Sequence, residues 1–190
     1  MKKIVCAILM GTSLIGFSQE AENFEAGPQE KHEVRLDAFE ALAFTTIELN
    51  YEYVISKYSG AGAAISLNLN DESIESYGQN FAFTPYYRQY FLNKKEFGAR
   101  GLFVEGSLQL SAGEHEVYYN SYNPVTDSYI EGTNKENWFE TGLGLAIGQK
   151  WVSNNGFTFE ISAGGGRNNL GADSAPEGYF RGGILVGYRF

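Results

Sequence analysis

The closing stretch EGYFRGGILVGYRF (177–190) decides the fold. Ile184, Val186 and Tyr188 stand at every second position before the terminal Phe190, and glycines and arginines fill most of the gaps. Successive side chains of a β-strand point to opposite faces. The stretch therefore predicts a strand that has one apolar face and ends on an aromatic residue.

The same alternation recurs from His32 onward. About eight segments show it, among them HEVRLDAFEA (32–41), TIELNYEYVIS (46–56) and FAFTPYYRQYF (81–91), and each is near the ten-residue length of a membrane-crossing strand. Tight turns and long polar loops alternate between them, except for a short first connection after residue 41. The sequence predicts an all-β fold, an antiparallel up-and-down transmembrane β-barrel of about eight strands with both termini at the tight-turn end.

The chain divides into three parts. Residues 1–19 predict a secretory signal peptide, because Lys2 and Lys3 precede an apolar run too short to span a bilayer and cleavage is expected near Ser18-Gln19. Residues 20–31 are polar and aperiodic, which predicts a flexible mature N-terminus. Residues 32–190 form the barrel. The single cysteine, Cys6, lies in the leader, so the mature chain has neither a disulfide nor a thiolate metal site.

Composition excludes several function classes. The chain has 23 acidic residues against 14 basic ones, which argues against binding to nucleic-acid phosphates. Past the leader, no run approaches the roughly 20 apolar residues of a transmembrane helix. Neither a phosphate loop nor a dinucleotide loop has the required spacing, so we expect no cofactor and no metal.

Alternation alone does not say which face of the barrel is inside, since a soluble lipocalin-like barrel turns its apolar face inward. Here the polar face carries small residues and charges of both signs, which can neutralise one another in a narrow lumen. Aromatic residues lie at the ends of the apolar face, where a membrane-interface girdle would place them. We therefore predict that the apolar face contacts lipid and that a polar network fills the lumen, formed by Arg35, Asp37, Glu48, Glu52, Arg88, Glu105, Glu140, Lys150, Glu160, Arg181 and Arg189.

The final GGILVGYRF (182–190) resembles the C-terminal strand of outer-membrane β-barrel proteins. Residues 32–190 as a whole resemble the small eight-stranded barrels of the OmpA/OmpX type and the outer membrane protein beta-barrel domain families. The resemblance implies an outer-membrane location and makes Tyr188 and Phe190 part of the signal read by the barrel-assembly machinery. We also expect a monomer that contacts outer-membrane lipid and lipopolysaccharide.

The longest predicted loop is the best candidate for recognition. It interleaves Tyr118, Tyr119, Tyr122 and Tyr129 with asparagine and serine, the composition of adaptable binding surfaces. The alternative for this loop is a strand extension whose tyrosines only pack. We predict a non-enzymatic barrel that is structural or recognises ligands through its long loops.

Three other functions stay open. The lumen glycines allow a narrow pore or a lateral gate for small apolar molecules. A lipid-modifying enzyme would have to pair His115 with Ser111 or Ser121, oriented by Glu114 or Glu116, but no spacing supports this triad, so no catalytic residue is predicted. The last alternative is a soluble lipocalin-like binding barrel in the periplasm.

Overall fold

The computed structural model describes residues 30–43, 45–69, 79–91, 98–123, 128–168 and 176–190. The predicted signal peptide and almost all of the predicted flexible N-terminus lie outside these residues. The central parts of the long loops after the third and seventh strands lie outside them too.

Nine strands and one short helix make up the described chain. Their bounds are β1 (His32–Asp37), α1 (Ala38–Ala43), β2 (Thr46–Ser56), β3 (Ser59–Asn68), β4 (Gln79–Phe91), β5 (Gly101–Asn123), β6 (Ser128–Val152), β7 (Phe157–Asn168), β8 (Gly178–Phe180) and β9 (Gly183–Arg189).

The strands close into a barrel. Each of β1 to β7 pairs antiparallel with the next, and β9 pairs with both β7 and β1. β8 pairs with β7 just beyond the start of β9, so β8 and β9 are two parts of one interrupted barrel strand. The result is a closed eight-stranded antiparallel barrel, which confirms the predicted fold class.

The two ends of the described chain meet at the closing seam. The backbone N–H of His32 donates to Phe190 O at 2.9 Å, and the N–H of Phe190 donates to His32 O at 2.7 Å. A β-carbon at Gly187 would overlap the backbone of Val34 and the side chain of Arg35 on the neighbouring strand. A glycine is therefore needed where β9 passes β1.

Apolar side chains face out of the barrel and charged side chains face into it. Large apolar side chains such as Leu49, Ile65, Leu145 and Ile161 are exposed on the outer surface, whereas charged side chains on the intervening positions are buried inside. In the part of the chain that the structure describes, no helix has the length and hydropathy needed to cross a bilayer. The alternation of strand residues thus separates an apolar exterior from a charged interior.

The first strand is shorter than predicted. The prediction carried it to residue 41, but β1 ends at Asp37 and α1 follows. Asp37 Oδ1 accepts hydrogen bonds from the backbone N–H groups of Phe39 at 2.8 Å and Glu40 at 3.1 Å, which caps the helix. The sequence that follows, AFEALA, is rich in good helix formers. Gly183 leaves the space that the Asp37 carboxylate occupies.

α1 lies where the barrel wall is interrupted. Pairing between β1 and β2 ends at Leu36 and Leu49, so β2 continues past the end of β1. β8 also pairs only with β7 among the described residues. α1 contacts both β2 and β9, and so it covers the gap that the early end of β1 leaves.

The long loop predicted after the fifth strand is mostly paired strand. β5 and β6 remain in register from Glu114 and Asn137 out to Asn123 and Ser128. The neighbouring strands stop earlier, because β4 ends its pairing at Gly113 and β7 at Gly142. Residues 114–123 and 128–137 therefore form a two-stranded ribbon beyond the barrel rim, called here the projecting hairpin.

Candidate functional site

A network of buried charges fills the lumen. The structure places all eleven predicted lumen residues in the interior, where each is buried. The ion pairs of the lumen join five basic residues to five glutamates. Buried charges are costly unless they are paired and hydrogen-bonded. Each of these ten paired charges has an opposite charge within 3.1 Å, which meets this condition.

Arg88 is the centre of the network. Its guanidinium donates to Glu105 Oε2 at 2.7 Å, to Glu52 Oε2 at 3.0 Å, and to the two carboxylate oxygens of Glu160 at 2.8 and 2.9 Å. The same group lies over the rings of Tyr86 and Phe103, 4.6 and 4.3 Å from their centroids. One side chain thus ties together residues from four strands.

The network continues toward the tight-turn end through Glu33, a residue that the sequence prediction omitted. Lys150 Nζ donates to Glu33 Oε1 at 3.1 Å and to Glu52 Oε1 at 2.9 Å. Arg189 binds Glu33 Oε2 through Nε at 2.9 Å and Nη2 at 2.8 Å. Glu33 lies two positions before Arg35, so the period of two already placed it on the inner face.

Residues 98–100 lie across the lumen at this end. Arg189 donates to the backbone carbonyls of Gly98 at 2.7 Å and Ala99 at 2.9 Å. Ala99 is fully buried beside Val54, Tyr90 and Phe103. Residues 98–100 therefore cover part of the lumen at the tight-turn end.

Arg181 ends the network on the loop side. It donates to Glu48 Oε1 and to Glu105 Oε1, both at 2.8 Å. Arg181 lies in the interruption between β8 and β9, where Gly182 has a φ of 151°. The break between β8 and β9 thus carries a charged side chain, and its ion pairs link β2 to β5.

Aromatic rings occupy the rest of the lumen, and the glycines make room for them. A β-carbon on Gly142, Gly144 or Gly166 would overlap the ring of Tyr179. Tyr86 lies against Gly62 and Phe103 against Gly148 in the same way. The sequence left these glycines compatible with a pore, but aromatic rings from other strands fill the space beside them.

Glu40 of α1 is an ionisable group at the loop end of the barrel, outside the strands. Its Oε2 is buried and has no hydrogen-bond partner among the described residues. Burial, together with the nearby carboxylates of Glu48 and Asp37, raises the pKa of Glu40 to about 8, although Arg181 acts in the opposite direction. A group whose pKa is raised on folding stabilises the fold in its protonated form. Docking of α1 is therefore stable at lower pH and weakens as pH rises through about 8.

We expect a spin label at position 42 to become more mobile between about pH 6 and pH 9, because deprotonated Glu40 is repelled from its site. Leu42 is 89% exposed, so Leu42→Cys allows labelling without disturbing packing. The control is the same label in Glu40→Gln, which has no proton to lose. An equal rise in mobility in both proteins would show that Glu40 does not hold the helix.

The structure separates the tyrosines predicted for recognition. Tyr122 and Tyr129 are paired across the projecting hairpin, and their ring centroids are 5.3 Å apart. Tyr119 lies on the opposite face and packs over Gly132. All three are exposed, whereas the side chain of Tyr118 lies outside the described residues. The predicted set therefore forms one exposed aromatic pair and one tyrosine on the other face.

The serine and histidine of the enzyme alternative are far apart on β5. Ser111 and His115 are separated by four strand residues, or about 13 Å, and His115 and Ser121 by about 20 Å. Both spacings exceed the reach of a hydrogen bond from a base to a nucleophile. β5 therefore cannot assemble this triad. In addition, no group of acidic or histidine side chains among the described residues is arranged to hold a metal ion.

The residues predicted as an assembly signal lie on the outer surface. Tyr188 and Phe190 are both about half exposed, and the ring of Phe190 stacks on His32 with centroids 6.0 Å apart. Both side chains are accessible from outside the barrel at the tight-turn end.

The closure, strand number and polarity of the barrel agree with the resemblance to OmpA-type proteins. This chain has the fold of a small outer-membrane-type barrel. No protein-family model matches the sequence, and no curated protein matches it. Among solved structures, it is similar to the N-terminal β-barrel domain of Pseudomonas aeruginosa OprF, with 14% sequence identity and a TM-score of 0.49 over 85% of this chain and 98% of that one.

Proposed function

We propose that the protein is a non-enzymatic integral barrel of the outer membrane that recognises a partner through its projecting hairpin. The outward-facing apolar surface is the observation that carries the proposed location. Monomeric soluble proteins rarely expose large continuous apolar patches, whereas a barrel in a bilayer requires one. A soluble lipocalin-like barrel would have the opposite distribution, with apolar side chains inside.

Aromatic residues at both ends of the strands support a membrane location. Trp151, Phe157 and Tyr188 are exposed near the tight-turn end, and Phe81 and Phe139 are exposed toward the loop end. Rings of aromatic side chains at two levels are typical of the two interfaces of a membrane barrel. We further propose that the barrel is monomeric, that it contacts outer-membrane lipid and lipopolysaccharide, and that the accessible Tyr188 and Phe190 are read by the assembly machinery.

Recognition is assigned to the projecting hairpin because the lumen is occupied. The exposed Tyr122 and Tyr129 rings supply a rigid contact surface at low entropic cost. Both strand edges of the hairpin beyond Gly113 and Gly142 also lack a described neighbouring strand. The hairpin thus combines exposed aromatic rings with strand edges that extend past the barrel wall.

Photo-crosslinking in cells tests the recognition. With p-benzoylphenylalanine at position 129, we expect a discrete crosslinked product that is lost when Tyr122→Ala is added, because that change removes half of the aromatic pair. The matched control places the same crosslinker at Asn134, an exposed position on the opposite face. Identical products from positions 129 and 134, or no product from 129, would contradict recognition by the tyrosine face.

A second candidate function is a lateral path for small apolar molecules. It is favoured by the wall interruption at α1, where the β1–β2 pairing ends at Leu36 and Leu49 and β8 pairs with β7. A narrow axial pore is less compatible with the structure, since the charge network and the rings of Tyr86, Phe103 and Tyr179 occupy the lumen. Planar-bilayer recordings test the axial pore, because a filled barrel should conduct no steady current and an axial pore should.

A further inference from the structure

A groove of about 730 Å³ crosses the outer surface of the barrel midway along the part of β5 that belongs to the barrel wall. Its floor is Gly106, where an added β-carbon would meet no other atom within 4 Å. Tyr87 and Leu145 are paired with Gly106 from the two sides and form the walls, and Leu108 and Leu143 extend the groove along the strands. The groove therefore lies within the exposed apolar band.

Pro85 lines one edge of the groove. The pairing of β4 with β5 keeps one register from Phe83 and Leu110 to Tyr86 and Ser107, and Pro85 lies between these pairs. Proline has no backbone N–H to contribute to a strand ladder. Pro85 therefore contributes no N–H to the sheet at this edge of the groove, close to the glycine that forms its floor.

The chemistry of the lining identifies the occupant. None of the residues that line the groove is charged, and its exposed side chains are leucines, a proline and a tyrosine. Tyr87 and Leu145 stand on strands two spacings apart, roughly 9.5 Å between backbones, and their side chains narrow that width further. An α-helix with its side chains is about 10–12 Å across and does not fit. A single hydrocarbon chain does.

We propose that the groove over Gly106 is a binding site for one hydrocarbon chain of a membrane phospholipid. The inference rests on the proposed location in a bilayer, where such chains surround the outer surface. A lipid chain that lies between Tyr87 and Leu145 is contacted on three sides by the groove, whereas a lipid chain on a flat part of the apolar band is contacted on one side. That lipid is held more tightly than its neighbours.

Native mass spectrometry of the purified barrel tests the site, with 1-palmitoyl-2-oleoyl-phosphatidylethanolamine as the probe in detergent micelles. We expect one lipid to remain bound to the unmodified barrel under activation that removes the others. Gly106→Leu should lose this lipid, because the leucine fills the groove. Ala163→Leu should keep it, since Ala163 is an exposed outer position on β7 and does not line the groove.

A faster gel migration of unboiled protein establishes that each variant is folded before lipids are counted. If folded Gly106→Leu retained the lipid as the unmodified barrel does, the proposed lipid site would be wrong. Loss of the lipid from Ala163→Leu would also contradict it. If the unmodified protein does not fold in micelles or associate with membranes, the proposed membrane location fails, and the lipid site fails with it.

Discussion

Replacing Arg88 with leucine is expected to destabilise the barrel by about 3–5 kcal/mol, the usual cost of removing one partner from a buried ion network. The change leaves the carboxylates of Glu52, Glu105 and Glu160 buried with fewer cations to neutralise them. It also removes the group that packs on the ring of Phe103. Urea unfolding in lipid vesicles, followed by the gel mobility of the folded form, measures the loss.

The matched control for Arg88 is an exposed ion pair of the projecting hairpin. Lys135 Nζ lies 3.3 Å from Glu114 Oε2, and both side chains are well exposed to solvent. Surface pairs of this kind contribute about 0–1 kcal/mol, so Lys135→Leu should leave the unfolding midpoint almost unchanged. Equal midpoints for Arg88→Leu and the unmodified protein would mean that the lumen network does not stabilise the barrel.

Leu145→Arg is expected to cost about 2–4 kcal/mol and to impair assembly, because it places a charge at the middle of the lipid-facing surface. Leu145 is 68% exposed on the outer face, midway between Trp151 and Phe139 at the two ends of the barrel portion of β6. The same vesicle unfolding assay, with the yield of folded protein in membranes, gives the effect.

Ser162→Thr is the internal control for this change, and it should be mild. Ser162 faces the lumen and is paired with glycines on both sides, Gly148 and Gly183. An added methyl group there stays away from lipid and introduces no charge. If both variants were tolerated equally well, the apolar face would not be the one that contacts lipid.

Much of the barrel follows from the period of two. In strands such as β2 and β9, one face is apolar and the other polar, so the alternation predicts both the strands and the side on which charges meet. It does not give the register, and the register decides which glycine meets which ring. Tyr179 over Gly144 is an example, since these residues come from different strands and are brought together only by the β6–β7–β8 pairing.

The sequence left the projecting hairpin open between a loop and a strand extension for a physical reason, and the structure shows the strand extension. Beyond the barrel rim both of its faces are in contact with solvent, so neither face needs to be apolar and the alternating pattern disappears. α1 is different, because the sequence does contain its signal. Asp37 followed three residues later by Glu40 matches the spacing of a helix-capping box, and helix-forming residues follow. The apolar alternation of Val34 and Leu36 hid this signal by extending the strand.

Membrane fractionation combined with heat-modifiability tests the central claim, that this chain is a closed barrel with its apolar face toward lipid. The membranes are extracted in detergent, and the gel mobilities of boiled and unboiled protein are compared. The structure predicts a membrane-bound species that migrates faster when unboiled, because the closed barrel resists unfolding by detergent. Release of the protein with the periplasmic contents, without a mobility difference, would contradict the claim and indicate a soluble protein.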